Sequence, residues 1–459
     1  MIVLMRTFAA ITVFILFALT SVLSQQVGIS YASTACVSYQ GGVNTITITC
    51  DASFRDIVQA INEPAILEQD AEQNGQYILN ANLEVADGAT LEMTSNSDGL
   101  QYLKLAGANG IIVYGKILID GVKITSWDVS EDNVIPQDMN GAISRGYVQF
   151  AASEGSQILN SEFGYLGYDG LGRRGFDLYG GGGPSHGMAI RGSSFHDMWF
   201  AFYSNEAYDI VIDRNEYHHN LKYALDPHTG THDMNITNNY LHHNRYGVIC
   251  SDDCYNILIE GNTVHHNTDG GIVFSRNMTN SIARNNHVYN STTGISISES
   301  PNNQIYNNTI ESAVDEGILL VNPEIVDDGF TEGNIVYDNV ISDSEDGIRA
   351  TNSHQNILEN NTFNSIELNE YLLSLNSDIE IRRQNFDDAL IGLGDSATEN
   401  LVEIADSGVI EVTEGGGGAN DDGDDNNEEL EANEASSYNT DVEHYTRILS
   451  GEDSVIVNS

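Results

Sequence analysis

The hexapeptide Tyr223-Ala-Leu-Asp-Pro-His228 gathers a phenol, a carboxylate and an imidazole within six residues. In a β-strand, alternate side chains share a face, so Asp226 and His228 should point outward side by side, with Leu225 and Pro227 pointing inward. An Asp next to a His orients the ring and raises its basicity, and a Tyr can donate or accept a proton. These types suit general acid–base chemistry. Strict alternation puts Tyr223 on the inward side unless the strand bends at Ala224. Asp-Pro-His alone is a weak motif. A proline in a central strand, however, removes a ladder donor, and a local rule broken in mid-scaffold is where function is expected.

The surrounding chain is repetitive. Short motifs centred on Ala201, Ala224, Gly247, Gly271, Gly294, Gly317 and Gly347 follow one another at steps of 23, 23, 24, 23, 23 and 30 residues. The long last step absorbs a loop at 323–329. Nine residues before the small position stand Asn215, Asn238, Asn262, Asn285 and Asn308; five before it stand His196, His219, His242 and His266. Columns of this kind arise when coils stack at the inter-strand spacing. The period and the absent Leu framework predict a right-handed parallel β-helix of roughly 23 residues per coil, an all-β solenoid over residues 85–400. Ile272 and Phe274, Ile295 and Ile297, and Ile318 and Leu320 should face the core, which leaves the small position and those two and four residues later facing out. The histidine column reads as a structural ladder. On this frame Tyr203 and Asn205 lie one coil before Asp226 and His228, and Ile249 and Ser251 one coil after. Aromatic faces and short polar groups of this kind suit a sugar platform.

The flanks differ from the repeat. Residues 1–24 carry one cation, Arg6, and then an apolar run from Phe8 to Leu19, as in a secretory signal peptide. Residues 34–84 read as a leader or cap with a helical fragment near Asp56. Four cysteines fit an exported chain, and the expected pairs are local, Cys36–Cys50 and Cys250–Cys254. No zinc-type spacing is present, and no metal site is expected. From Gly415 to Ser459 the sequence reads as a solvated acidic tail; residues 414–459 hold 13 acidic residues and one basic. No cofactor is required; Ca²⁺ binding by the tail stays open, although repeated ligand spacing is absent. The net charge of −49 excludes nucleic acid as a partner. Eight of the 18 basic residues (Arg173, Arg174, Arg191, Arg214, Lys222, Arg245, Arg276 and Arg284) nonetheless bracket the odd coil, which makes a locally positive cleft for an anionic polymer plausible.

Tyr223-Ala-Leu-Asp-Pro-His228 resembles the signature hexapeptide of the mannuronan C5-epimerases. Ile124-Thr-Ser-Trp-Asp128, Leu166-Gly-Tyr-Asp169, Phe200-Ala-Phe-Tyr-Ser-Asn-Glu-Ala207 and the coils through Asn277 are similar to the run of motifs in the periplasmic bacterial branch of that family. The likeness covers roughly residues 83–300. It implies a β-helix on which a cation neutralises the uronate carboxylate, a base removes the C5 proton and an acid returns one to the opposite face. Carried over by position, His228 is the base, Asp226 belongs to the same signature and Tyr223 is the acid. Tyr203, Asn205 and Ser251 line the platform. One position departs: the Arg that follows Ser in the next coil of the family is Asp252 here, after Ser251. Lys222 and Arg245 are the first replacements as carboxylate partner, with Arg173, Arg174 and Arg276 in reserve, because a guanidinium can clamp a carboxylate through two bonds.

The reading is thus a secreted or cell-surface, monomeric isomerase acting on a polyuronate, with no membrane span after signal cleavage. A polysaccharide lyase starts from the same C5 proton abstraction. A non-catalytic carbohydrate-binding β-helix would give the hexapeptide no special role.

Overall fold

A computed structural model describes residues 36–179, 183–322, 331–375 and 379–384, followed by strands at 388–393, 401–404, 409–414, 445–449 and 454–458. The strands fall into three long sheets of 16, 16 and 13 strands, and through the middle of each sheet the order steps by three along the chain. Each coil therefore contributes one strand per sheet, and successive coils pair in parallel. Inward columns are apolar and in register: Val248, Ile272, Ile295, Ile318 and Ile348 lie one above another in the first sheet, all fully buried. Phe163, Phe195 and Tyr217 stack with nearly parallel rings inside the third. Each such side chain contributes about 1.5–3 kcal/mol by leaving water.

Two devices hold the corners. The small-residue column is one. A Cβ on Gly247 would lie 2.5 Å from the carbonyl oxygen of Gly271 and 2.5 Å from Val264 Cγ1, and Gly271 and Gly294 are equally tight against the next coil. That position thus faces the core rather than solvent, which corrects the outward assignment. The second device is a buried asparagine ladder through Asn215, Asn239, Asn262, Asn286, Asn308, Asn339 and Asn361, each side-chain amide donating to the carbonyl oxygen of the next. Asn238 and Asn285 are not members. They occupy left-handed corner positions just before it (φ 55° and 54°), because coil length alternates by a residue and a fixed offset drifts between the two columns. The histidines drift likewise: His196 and His242 belong to one stack, His219 and His266 to another.

At the amino-terminal end, Val37–Gln40 and Thr45–Ile48 pair antiparallel beside the Cys36–Cys50 disulfide. The helix Phe54–Ala60, closed by a Ser53/Asp56 capping box, follows and packs Phe54 and Ile57 into the core. The leader 1–24 and residues 415–444 lie outside the described residues. Tyr445–Leu449 and Ser454–Asn458, read above as tail, form an antiparallel pair, and the first of them continues the second sheet beside Leu401–Ile404. No helix among the described residues is long and apolar enough to cross a membrane.

Candidate functional site

Five neighbouring strands of the first sheet carry the site: Gly175–Leu178, Phe200–Asn205, Tyr223–His228, Tyr246–Ser251 and Gly270–Ser275. Register aligns Asp177, Tyr203 and Asp226 in one outward column, and Asn205, His228 and Ser251 in another. Toward the following coil, Tyr223, Leu225 and His228 find partners but Asp226 and Pro227 do not, as expected where proline lacks a donor. Tyr223 packs edge-on against Phe200 and Tyr246, themselves partly exposed. Since Ala224 and Leu225 are both fully buried, the alternation breaks at Ala224 and Tyr223 lies on the same outer side as His228.

Beside His228 the column of Asp177, Tyr203 and Asp226 is buried. Asp226 is only 1 % exposed, and burial raises its carboxyl well above the usual range, with Arg174 and Arg276 opposing. Burial pushes Asp177 up to about 7 against the pull of Arg174, and Tyr203 up to about 12. The Arg174 guanidinium lies 3.9 Å over the Tyr203 ring and 3.6 Å from Asp177, a separation too long for a hydrogen bond. Arg174 Nη1, Asp177 Oδ1 and Asp226 Oδ1 are buried without a hydrogen-bond partner among the described residues. Gly175 lets this turn approach the sheet: a Cβ there would sit 2.2 Å from the carbonyl oxygen of Phe200, and its φ is 145°.

His228 sits on the rim, half-buried, its ring 5.4 Å from that of Tyr203. Nδ1 meets Thr229 Oγ1 at 2.7 Å, and Nε2 lies 3.6 Å from Asp252. Burial lowers its pKa; Asp252 raises it, while Arg276 and Arg174 lower it further. The imidazole is therefore neutral at pH 7, as a base must be. Asp252 and Asp253 occupy a left-handed corner (φ 62° and 57°), and Arg276 and Asn277 repeat that corner one coil on (50° and 65°). Arg276 reaches back to Asp252 at 3.5 Å and Asn277 to Asp253 at 2.6 Å. The charge of Arg276 is felt by Tyr223, Asp226 and His228 alike.

A family model described as the right-handed β-helix region matches residues 174–324. The mannuronan C5-epimerase of Pseudomonas putida is 27% identical over 259 residues, which is 54% of this chain and 50% of that protein. The mannuronan C5-epimerase AlgG of Azotobacter vinelandii is 30% identical over 179 residues, 37% of this chain and 33% of that protein. Over these segments the chain is similar to the mannuronan C5-epimerases. It spans about half the length of the first of these relatives. Among solved structures, the periplasmic alginate epimerase AlgG superposes with a TM-score of 0.59 at 20% identity, over 80% of this chain and 84% of that one, which establishes the shared fold.

Measured against the epimerase signature, the structure brings His228, Asp226, Tyr223, Tyr203, Asn205 and Ser251 to one patch. It does not bring Lys222 and Arg245 to that buried column. Lys222 lies 4.9 Å over Trp199, and Arg245 is engaged by Asp269. The reserve cations Arg174 and Arg276 flank His228 instead, and Arg173 turns to the Tyr168 hydroxyl. Ser275-Arg276 restores the Ser-Arg pair one coil beyond Ser251-Asp252. Asp177 was missed because the register shifts between Gly175 and Asp177, so an offset counted from the small-residue column does not reach it. Cys250 and Cys254 are not bonded to each other. Both are buried free thiols: Cys250 fills an inward strand position, and Cys254, past the left-handed corner, donates weakly to the carbonyls of Ser251 and Pro227.

Proposed function

We propose that this chain is a polyuronate C5-epimerase working outside the cytoplasm, on mannuronan or a similar polymer. The observation that carries the reading is the neutral, outward His228 beside a buried floor on which Arg174 Nη1 has no hydrogen-bond partner among the described residues. Arg174 and Arg276 receive the C6 carboxylate and stabilise the charge that spreads onto it. His228 Nε2 takes the C5 proton, and Asp252 stabilises the imidazolium. Tyr223, held protonated by burial, delivers its phenolic proton to the opposite face of C5 and is reprotonated from solvent while His228 releases its proton. Two arginines over the groove also reconcile an anionic polymer with a chain of net charge −49. The Cys36–Cys50 disulfide and the apolar leader sequence support an oxidising, extracytoplasmic location.

The test is NMR of polymannuronate and other polyuronates incubated with the purified protein in D₂O. Deuterium at an inverted C5 is the expected result. New 4,5-unsaturated ends would mean a lyase, and an unchanged polymer would mean a binding protein.

A further inference from the structure

The chain carries 13 histidines, and seven of them build an array on the outer face of the third sheet, away from the strands of the proposed active site. His196, His218, His242 and His265 stack face to face, with ring centroids 5.1, 5.3 and 5.1 Å apart. His219, His243 and His266 form a second stack at 5.0 and 5.1 Å. Consecutive strand residues normally point to opposite faces. Here the second residue of each pair is left-handed (φ 55°, 56° and 52°), which turns both imidazoles to the outer side of the sheet, where His265 alone of the seven is buried. The outcome is three rungs, His218/His219, His242/His243 and His265/His266, whose Nδ1 atoms face each other at 2.9, 2.8 and 2.7 Å.

We propose that these rungs bind divalent transition-metal ions through paired Nδ1 atoms, Cu²⁺ most firmly. Two imidazole nitrogens in adjacent positions of a square-planar or octahedral ion, each about 2.0–2.1 Å from it, stand roughly 2.9 Å apart. Each rung already holds its nitrogens at that separation. The central rung is the most complete, because Glu216 meets His242 Nε2 at 3.2 Å. A proton on Nε2 donated to that carboxylate leaves Nδ1 with its lone pair, the outer-shell arrangement that orients metal-bound histidines. His243 becomes a ligand by carrying its proton on Nε2, so no net charge change is needed. Among the described residues no third His, Cys, Asp or Glu converges with a rung, so water completes each ion's coordination. The preference for copper follows from imidazole donors and the order of divalent affinities. The His-His pairs recur in the sequence once per coil, and the left-handed corner brings the two rings of each pair to one side.

The full-length protein, titrated with Cu²⁺ at neutral pH in excess Mg²⁺ to occupy carboxylates, should give an electron paramagnetic resonance spectrum with nitrogen hyperfine structure. The signal should saturate at three equivalents, one per rung. His243→Asn should remove one equivalent, since Asn tolerates the left-handed backbone, and Glu216→Gln should weaken the same equivalent about tenfold or more. A wild-type spectrum without nitrogen ligation overturns the proposal whatever the variants do. So does unchanged stoichiometry in a folded His219→Asn/His243→Asn/His266→Asn protein. Epimerisation is not the readout, so either outcome leaves the proposed function standing.

Discussion

His228 Nε2 stands 3.6 Å from Asp252 Oδ2, and the other oxygen of that carboxylate faces Arg276 at 3.5 Å. Asp252 raises the imidazole pKa, and Arg276 and burial lower it. The acid limb of kcat/KM should therefore lie below 6.5, the ordinary histidine value. Arg276→Gln should move that limb to higher pH, and Asp252→Asn to lower pH. Imidazole NMR titration of the three proteins checks both directions, and a common pKa would remove Asp252 and Arg276 from the site.

Charge stabilisation of the C5 carbanion should divide the cations sharply. Arg174→Ala and Arg276→Ala should each cost about 2–4 kcal/mol, roughly 30- to 1,000-fold in rate. Lys222→Ala and Arg245→Ala should cost less than about fivefold. Initial rates on one polymer rank the four.

Tyr223→Phe tests the direction of proton return. With His228 intact, C5 should still exchange with D₂O, because the base can give back what it took. The sugar should then keep its configuration, and inversion should fall by roughly 100-fold or more. Comparable inversion by Tyr223→Phe, with loss in Tyr203→Phe, would transfer the acid role to Tyr203.

Asp177 binds its proton more tightly in the folded chain, near 7, than the ordinary 3.8. The folded state thus holds more protons between these values. Its contribution is complete at the acid end and is lost as pH rises through 7. Asp177→Asn should flatten this slope and, at pH 8, melt a few degrees above the wild type. Thermal melts of both proteins from pH 4 to 8 measure it.

The corrected ladder makes neighbouring asparagines unequal. Asn239→Ala removes amide bonds to Ile212 and Asn262 and leaves buried groups of Asn215 unpaired, at a cost of about 3–5 kcal/mol. Asn238→Ala loses one partly buried bond to Asp213 and a tolerant left-handed residue, about 1–2 kcal/mol. Urea unfolding of the pair tests which column bears the stack.

Periodicity made the solenoid legible, because a 23-residue repeat with inward Ile272, Ile295 and Ile318 admits few other folds. It also placed Tyr203 opposite Asp226 and Ser251 opposite His228. What it missed involves single-residue departures from the period. Tyr223 faces outward because alternation fails at Ala224, and Asn239 rather than Asn238 joins the ladder because adjacent coils differ by one residue. The cations were hardest to place: Lys222 and Arg245 share a coil position, but Trp199 and Asp269 occupy them, and such partners are visible only in three dimensions.

Within the sheets each strand pairs only with those of the coil before and the coil after it, so most of the cohesion is passed along the rod as between dominoes rather than pooled in one nucleus. Heating should fray such a chain from its ends, with a loss of signal broader than an all-or-none transition. The strand Tyr223–His228 is eighth of the sixteen in its sheet. It therefore sits where fraying arrives last, and catalytic competence should outlive a good part of the β-structure that encloses it.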